Sequence, residues 1–201
     1  MKKLFSLLSL LVIFSFTTAD TELTQKERDD AIKYGKETQN KLGDAIKGLS
    51  ENQLNWKPAD SVWSVAECVE HIALSEKNIF DWAMMTLKEP ANPSKRSELK
   101  MDDAAVKKLI TDRSFRAKTR EGFIPSGEFG DAWKTFDVFK ERRTALVNYI
   151  GQTKDDLRNH FAELPFGTVD TYQLLLFLIG HTERHTLQIA EVKSMPGFPK
   201  K

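Results

Sequence analysis

The chain has 201 residues, enough for one domain with a real core and too few to expect a second. Its 30 basic residues balance 29 acidic ones without forming a basic stripe, which argues against a nucleic-acid partner, and 13 Phe with 4 Trp argue against a disordered chain. The single cysteine, Cys68, excludes an intramolecular disulfide, so stability must come from the core or from a bound metal.

The N-terminus reads as a secretory signal. Met1-Lys2-Lys3 is a short basic segment, Leu4 to Phe16 is apolar or Ser-containing, and Thr17-Thr18-Ala19 offers small residues for cleavage. The apolar run is about 13 residues, short of the roughly 20 that span a bilayer. Residues 1–19 are therefore expected to be removed on export to the periplasm or medium, leaving no stable membrane anchor and one folded domain, residues 20–201.

Thr24 and Glu27 form a capping box and open a helix to about Leu49. Ala31, Tyr34, Thr38, Leu42, Ala45, Ile46 and Leu49 make its buried stripe. Leu54 to Pro58 reads as a linker, with Trp56 and Trp63 packing on the end of the domain. Ser64 and Glu67 form a second capping box, for a helix to about Leu87. Its inward face carries Cys68, His71, Ile72, Ser75, Asn78 and Ile79, then Trp82 and Met85. Residues 89–130 are the least regular. Asp102 or Asp103 caps a short helix through Ala105, Val106, Leu109 and Ile110, and residues 113–130 form an irregular crossover. Asp131 to about Ile150 is helical again, burying Trp133, Phe136, Phe139, Leu146 and Ile150. Thr153 to Asp156 start a further turn or two, ending near Phe161. Asp170 with Gln173 caps the last helix, which stops near Met195 before Pro196-Gly197. Leu174 to Ile179 is apolar all round, so this helix is central. No strand alternation or internal repeat is present. The pattern predicts an all-α chain folded as a four-helix bundle with short extra helices.

The chemistry gathers on the last helix. His181 and His185, four residues apart, share one face of the most buried helix, where two imidazoles need polar partners to offset desolvation. A satisfied core histidine is the bland reading of either residue alone. With His71 in the middle of another inward face, the three are expected to meet around one divalent metal. A zinc-protease motif is excluded: Glu183 lies about 200° round the helix from His181, on the far side. Ser75, four residues after His71, and Gln188, three after His185, are candidate pocket groups or supports for the ligands. Cys68, three residues before His71, is either a fourth ligand or a small core residue. Three protein ligands leave a position for water, a thiol or a small anion, which suits an enzyme. A closed site of four would suit a non-catalytic, metal-stabilised module.

Trp56-Lys57-Pro58, Trp63 to Glu67 followed by His71-Ile72, Phe139 to Arg143, and Gly180-His181 to His185 with Gln188-Ile189 together resemble the DinB-like superfamily over nearly the whole mature chain. The resemblance implies a four-helix bundle with a long crossover, often homodimeric. It implies a metal held by His71, His181 and His185, with zinc ahead of nickel. It also implies relatives that are transferases and isomerases using low-molecular-weight thiols. Those thiols are cytoplasmic, so an exported member departs from that pattern. The expectation is an exported metal-dependent hydrolase or transferase acting on a small molecule, with the non-catalytic metal-binding module as the alternative.

Overall fold

The computed structural model describes residues 22–115 and 118–200, so the signal reading of residues 1–19 lies outside the described residues. Four long helices form the bundle: α1 (Gln25–Ile46), α3 (Val65–Thr86), α5 (Ala132–Gln152) and α6 (Thr171–Lys193). Each begins where a side chain satisfies the free N–H groups of its first turn. Thr24 with Glu27, Ser64 with Glu67 and Asp170 with Gln173 form reciprocal capping boxes, and Asp131 accepts from the amides of Trp133 and Lys134. α1 and α3 each pack against both α5 and α6, which closes the four into a ring. Two shorter helices, α2 (Glu51–Asn55) and α4 (Asp103–Thr111), lie on α3 and α6.

The structure departs from expectation between the long helices. α1 ends at Ile46 rather than Leu49, because Gly48 turns the chain at φ 72° and Ser50 with Gln53 opens α2 inside the expected linker. Pro93–Glu98 is a 3₁₀ turn. Thr153 to Asp156 start no helix: Thr153 caps the end of α5 and exchanges hydrogen bonds with Asp155. The helical bundle is as expected, and a short antiparallel hairpin, β1 (Phe161–Leu164) with β2 (Gly167–Asp170), paired from Phe161↔Asp170 to Leu164↔Gly167, is added to it. Four-residue strands are too short to display an alternating pattern. Met85 and Trp133, assigned to buried faces, are 61% and 42% exposed.

The hairpin positions the last helix. β2 runs directly into Asp170, the N-cap of α6. Arg158, just before β1, bonds to Asp170 at 2.9 Å and pairs with Glu27 of α1 and Asp103 of α4, and its guanidinium lies over the Tyr172 ring. One cation thus joins the first turns of three helices, where carboxylates already favour the helix dipole.

The interior is apolar around a charged node at Arg143. Leu174, Leu175, Leu178 and Ile179 of α6 pack with Leu146 and Ile150 of α5 at one end, and Leu42, Ile72, Phe136 and Phe139 fill the other. Arg143 of α5 is 1% exposed. It is bidentate to Glu76 of α3 and donates to the Gly35 carbonyl and Thr38 hydroxyl of α1 and to the Thr182 hydroxyl of α6. All five guanidinium N–H groups find acceptors, which offsets the burial of the charge. Gly35 is required there, since a Cβ would lie 2.9 Å from Val147 Cγ1 and 3.6 Å from Arg143 Cδ.

Candidate metal centre

Packing of α3 on α6 brings the three predicted histidines together. His71 Nε2 lies 3.1 Å from His185 Nε2, which lies 3.2 Å from His181 Nε2. The three ligand atoms all fall within 4.8 Å of one another. His71 and His185 are buried, at 4% and 8% exposure, while His181 is partly open to solvent.

The outer nitrogens decide what this cluster is. His71 Nδ1 lies 2.7 Å from the carbonyl oxygen of Phe123, and His185 Nδ1 lies 2.8 Å from Gln188 Oε1. Both oxygens only accept, so each Nδ1 carries the proton and each Nε2 presents a lone pair. Burial pushes the His71 pKa down to about 4 and puts those of His181 and His185 well below the ordinary value, and repulsion from neighbouring imidazoles adds to the drop in the latter two. The rings are therefore neutral at physiological pH, and the Nε2 atoms of His71 and His185 face each other with no proton between them. Two nitrogens about 2.0–2.1 Å from a tetrahedral ion would lie about 3.3 Å apart, close to the spacing here. The donor set fits a divalent ion.

Ser75, one turn beyond His71, is 1% exposed, and its hydroxyl has no protein partner. A buried hydroxyl without a partner marks a place where water or a ligand group would be stabilised. The Gln188 oxygen also accepts from Arg113 at 3.4 Å, while Arg113 is bidentate to Glu191. Cys68 is not in the cluster. It is a buried free thiol in the apolar core, and burial pushes its pKa up to about 12. Glu183 points away, to Tyr34 and Lys41 of α1. Trp63, expected only to pack on the end of the domain, stands 4.7 Å from the His71 ring and 6.1 Å from that of His185. Phe123 and Phe177 close on His71 and His181 at 6.5 and 6.1 Å. The Phe123 carbonyl and Arg113 were not foreseen. The first is a backbone group with no sequence signature, and the second lies in the segment with no readable period.

Relatives place this geometry in a family. The uncharacterized protein YuaE of Bacillus subtilis (strain 168) is 29% identical over 151 residues, covering 74% of this chain and 88% of that protein. The structure of YfiT from Bacillus subtilis, described as a probable metal-dependent hydrolase with an unusual four-helix bundle topology, matches with a TM-score of 0.56 at 18% identity. That match covers 86% of this chain and 89% of YfiT and shows the shared fold. Residues 35–189, which include all three histidines, match the DinB superfamily, and the chain belongs to that superfamily.

Proposed function

We propose that the chain is an exported metal-dependent hydrolase or transferase acting on a small molecule, with His71, His181 and His185 holding one divalent ion, zinc before nickel. The observation that carries this reading is the convergence of the three Nε2 atoms, two of them fixed as lone pairs by the Phe123 carbonyl and Gln188. A bound divalent ion would polarise a carbonyl oxygen and lower the pKa of water or of a thiol. The residues supply the rest. His71 and His185 stay neutral and oriented. Trp63, Phe123 and Phe177 keep bulk water from the cluster, and the partly open edge of His181 leaves an approach. The unpartnered Ser75 hydroxyl offers a hydrogen bond one turn away, which suits water as the second reactant and favours hydrolysis. The likeness to YfiT points the same way.

The test is metal analysis of the purified protein together with a screen of esters, amides and thiol conjugates, with and without chelator. About one ion per chain, activity abolished by chelation and activity restored by zinc or nickel are expected. Bound metal with no chelator-sensitive turnover would favour the metal-stabilised module. Metal content unchanged in His185→Ala would reject the three-histidine site. Fractionation of the producing cell checks export: the chain should accumulate outside the cytoplasm, shortened by cleavage after Ala19.

A further inference from the structure

Glu70, immediately before the candidate ligand His71, is 6% exposed, and among the described residues it forms no ion pair. Its carboxylate is held by the crossover backbone instead. Oε1 accepts from the amides of Ser126 at 3.0 Å, Gly127 at 2.8 Å and Glu128 at 3.0 Å, and Oε2 accepts from Gly127 at 2.9 Å. Successive amides curled round one anion form a nest, a conformation that needs a residue in the left-handed region. Gly127, at φ 82°, is that residue. A buried carboxylate with this many amide donors is well satisfied, and the loop that supplies them is fixed to α3.

The same loop reaches the metal centre. The carbonyl of Phe123, three residues before the nest, accepts the Nδ1 proton of His71, and Asn78 of α3 donates to the carbonyl of Gly122 at 2.8 Å. α3 thus carries both a candidate ligand and the anchor of the group that orients it. We propose that Glu70 is a positioning residue for the metal centre, acting through the 122–128 loop to hold the Phe123 carbonyl on His71 and so keep the His71 Nε2 lone pair aimed at the ion. This rests on the three-histidine reading above.

The test compares wild type with Glu70→Gln, which is isosteric but sets an amide NH₂ against the nest, and with Gly127→Ala, which strains the nest and leaves Glu70 in place. Amide hydrogen exchange reads the nest, ¹⁵N–¹H spectra of the imidazoles read the His71 Nδ1 proton, and titration with Co²⁺ reads the site by affinity and visible absorption. In both variants the amides of residues 126–128 should lose protection. The His71 Nδ1–H signal should broaden or vanish, and the Co²⁺ Kd should rise on the order of 10-fold or more, as loss of a group that orients a ligand does elsewhere. The proposal is overturned if the amides lose protection while the His71 proton and the Kd, within about 2-fold, match wild type, since Glu70 would then only anchor a loop. It is equally overturned if neither variant alters the amides. If wild type itself fails to bind Co²⁺, the three-histidine reading fails, and the His71 proton alone decides whether Glu70 orients that ring.

Discussion

Gln188 gives a quantitative test of how the centre is built. Its oxygen accepts the hydrogen bond from His185 Nδ1, 2.8 Å long, so Gln188→Ala removes orientation without removing a candidate ligand. Loss of such a partner commonly weakens metal binding 10–100-fold. Binding to the folded state alone stabilises it by RT ln(1 + [L]/Kd), about 2.7 kcal/mol at a free zinc concentration 100 times the wild-type Kd. At the same concentration the variant would retain about 1.4 kcal/mol after a 10-fold loss and about 0.4 kcal/mol after a 100-fold loss. For a domain of this size each kcal/mol moves Tm by roughly 2–4 °C, so zinc should raise the wild-type Tm by roughly 5–11 °C and the Gln188→Ala Tm by roughly 1–6 °C. His185→Ala should show no zinc-dependent shift. Differential scanning calorimetry with buffered zinc makes the measurement, and the difference between zinc-loaded and chelated samples removes any direct effect of the substitution on the fold. An equal zinc shift in wild type and Gln188→Ala would refute the idea that the side chain sets the imidazole. A persistent shift in His185→Ala would refute the site.

Three further outcomes follow from the interior. Arg143→Met strands the Glu76 carboxylate among apolar helices, and loss of one partner of such a pair destabilises by about 3–5 kcal/mol, to be read from urea midpoints; Arg143→Met with Glu76→Leu should recover much of it. Gly180→Ala drives a Cβ into Ile110 Cγ2 and to 3.0 Å from the Tyr34 hydroxyl, so the Ile110 side chain or α4 must shift; overpacking of this kind lowers stability by about 1–3 kcal/mol by the same assay. His71 has a folded pKa near 4 against an ordinary 6.5, because burial disfavours the charged ring. The unfolded chain therefore binds the extra proton first, and metal-free protein should lose stability as the pH falls from 6.5 toward 4, by up to about 3 kcal/mol for this group. His71→Gln should flatten that slope, and an unchanged slope would show that His71 does not titrate in this way.

The long helices were legible because their signals are local. Thr24 with Glu27, Ser64 with Glu67 and Asp170 with Gln173 announce helix starts within four residues, and all three are reciprocal boxes in the structure. What escaped has no period. The hairpin strands are four residues each, and α1 stops at a single left-handed glycine. Arg143 and Glu76 escaped for the opposite reason. Charged residues on helices are ordinarily read as solvent-facing, and only the partners collected from distant segments make their burial tolerable.

The three histidines were legible because ligand spacing is a side-chain pattern, two on one turn and one at the centre of another inward face. The state of their nitrogens was not. It depends on oxygens that α3 and α6 cannot advertise: a carbonyl at Phe123 and a side-chain amide whose role exists only once His185 faces it. A histidine cluster with free outer nitrogens could pass a proton around and hydrogen-bond to itself. With Nδ1 of His71 and His185 committed outward and both rings held neutral by burial, those two cannot hydrogen-bond to each other, and their lone pairs converge on the same space. Desolvated lone pairs facing one another are unfavourable until a cation enters. The irregular crossover, which looked like a link between helices, thus supplies the carbonyl that turns the His71 lone pair toward the other two imidazoles.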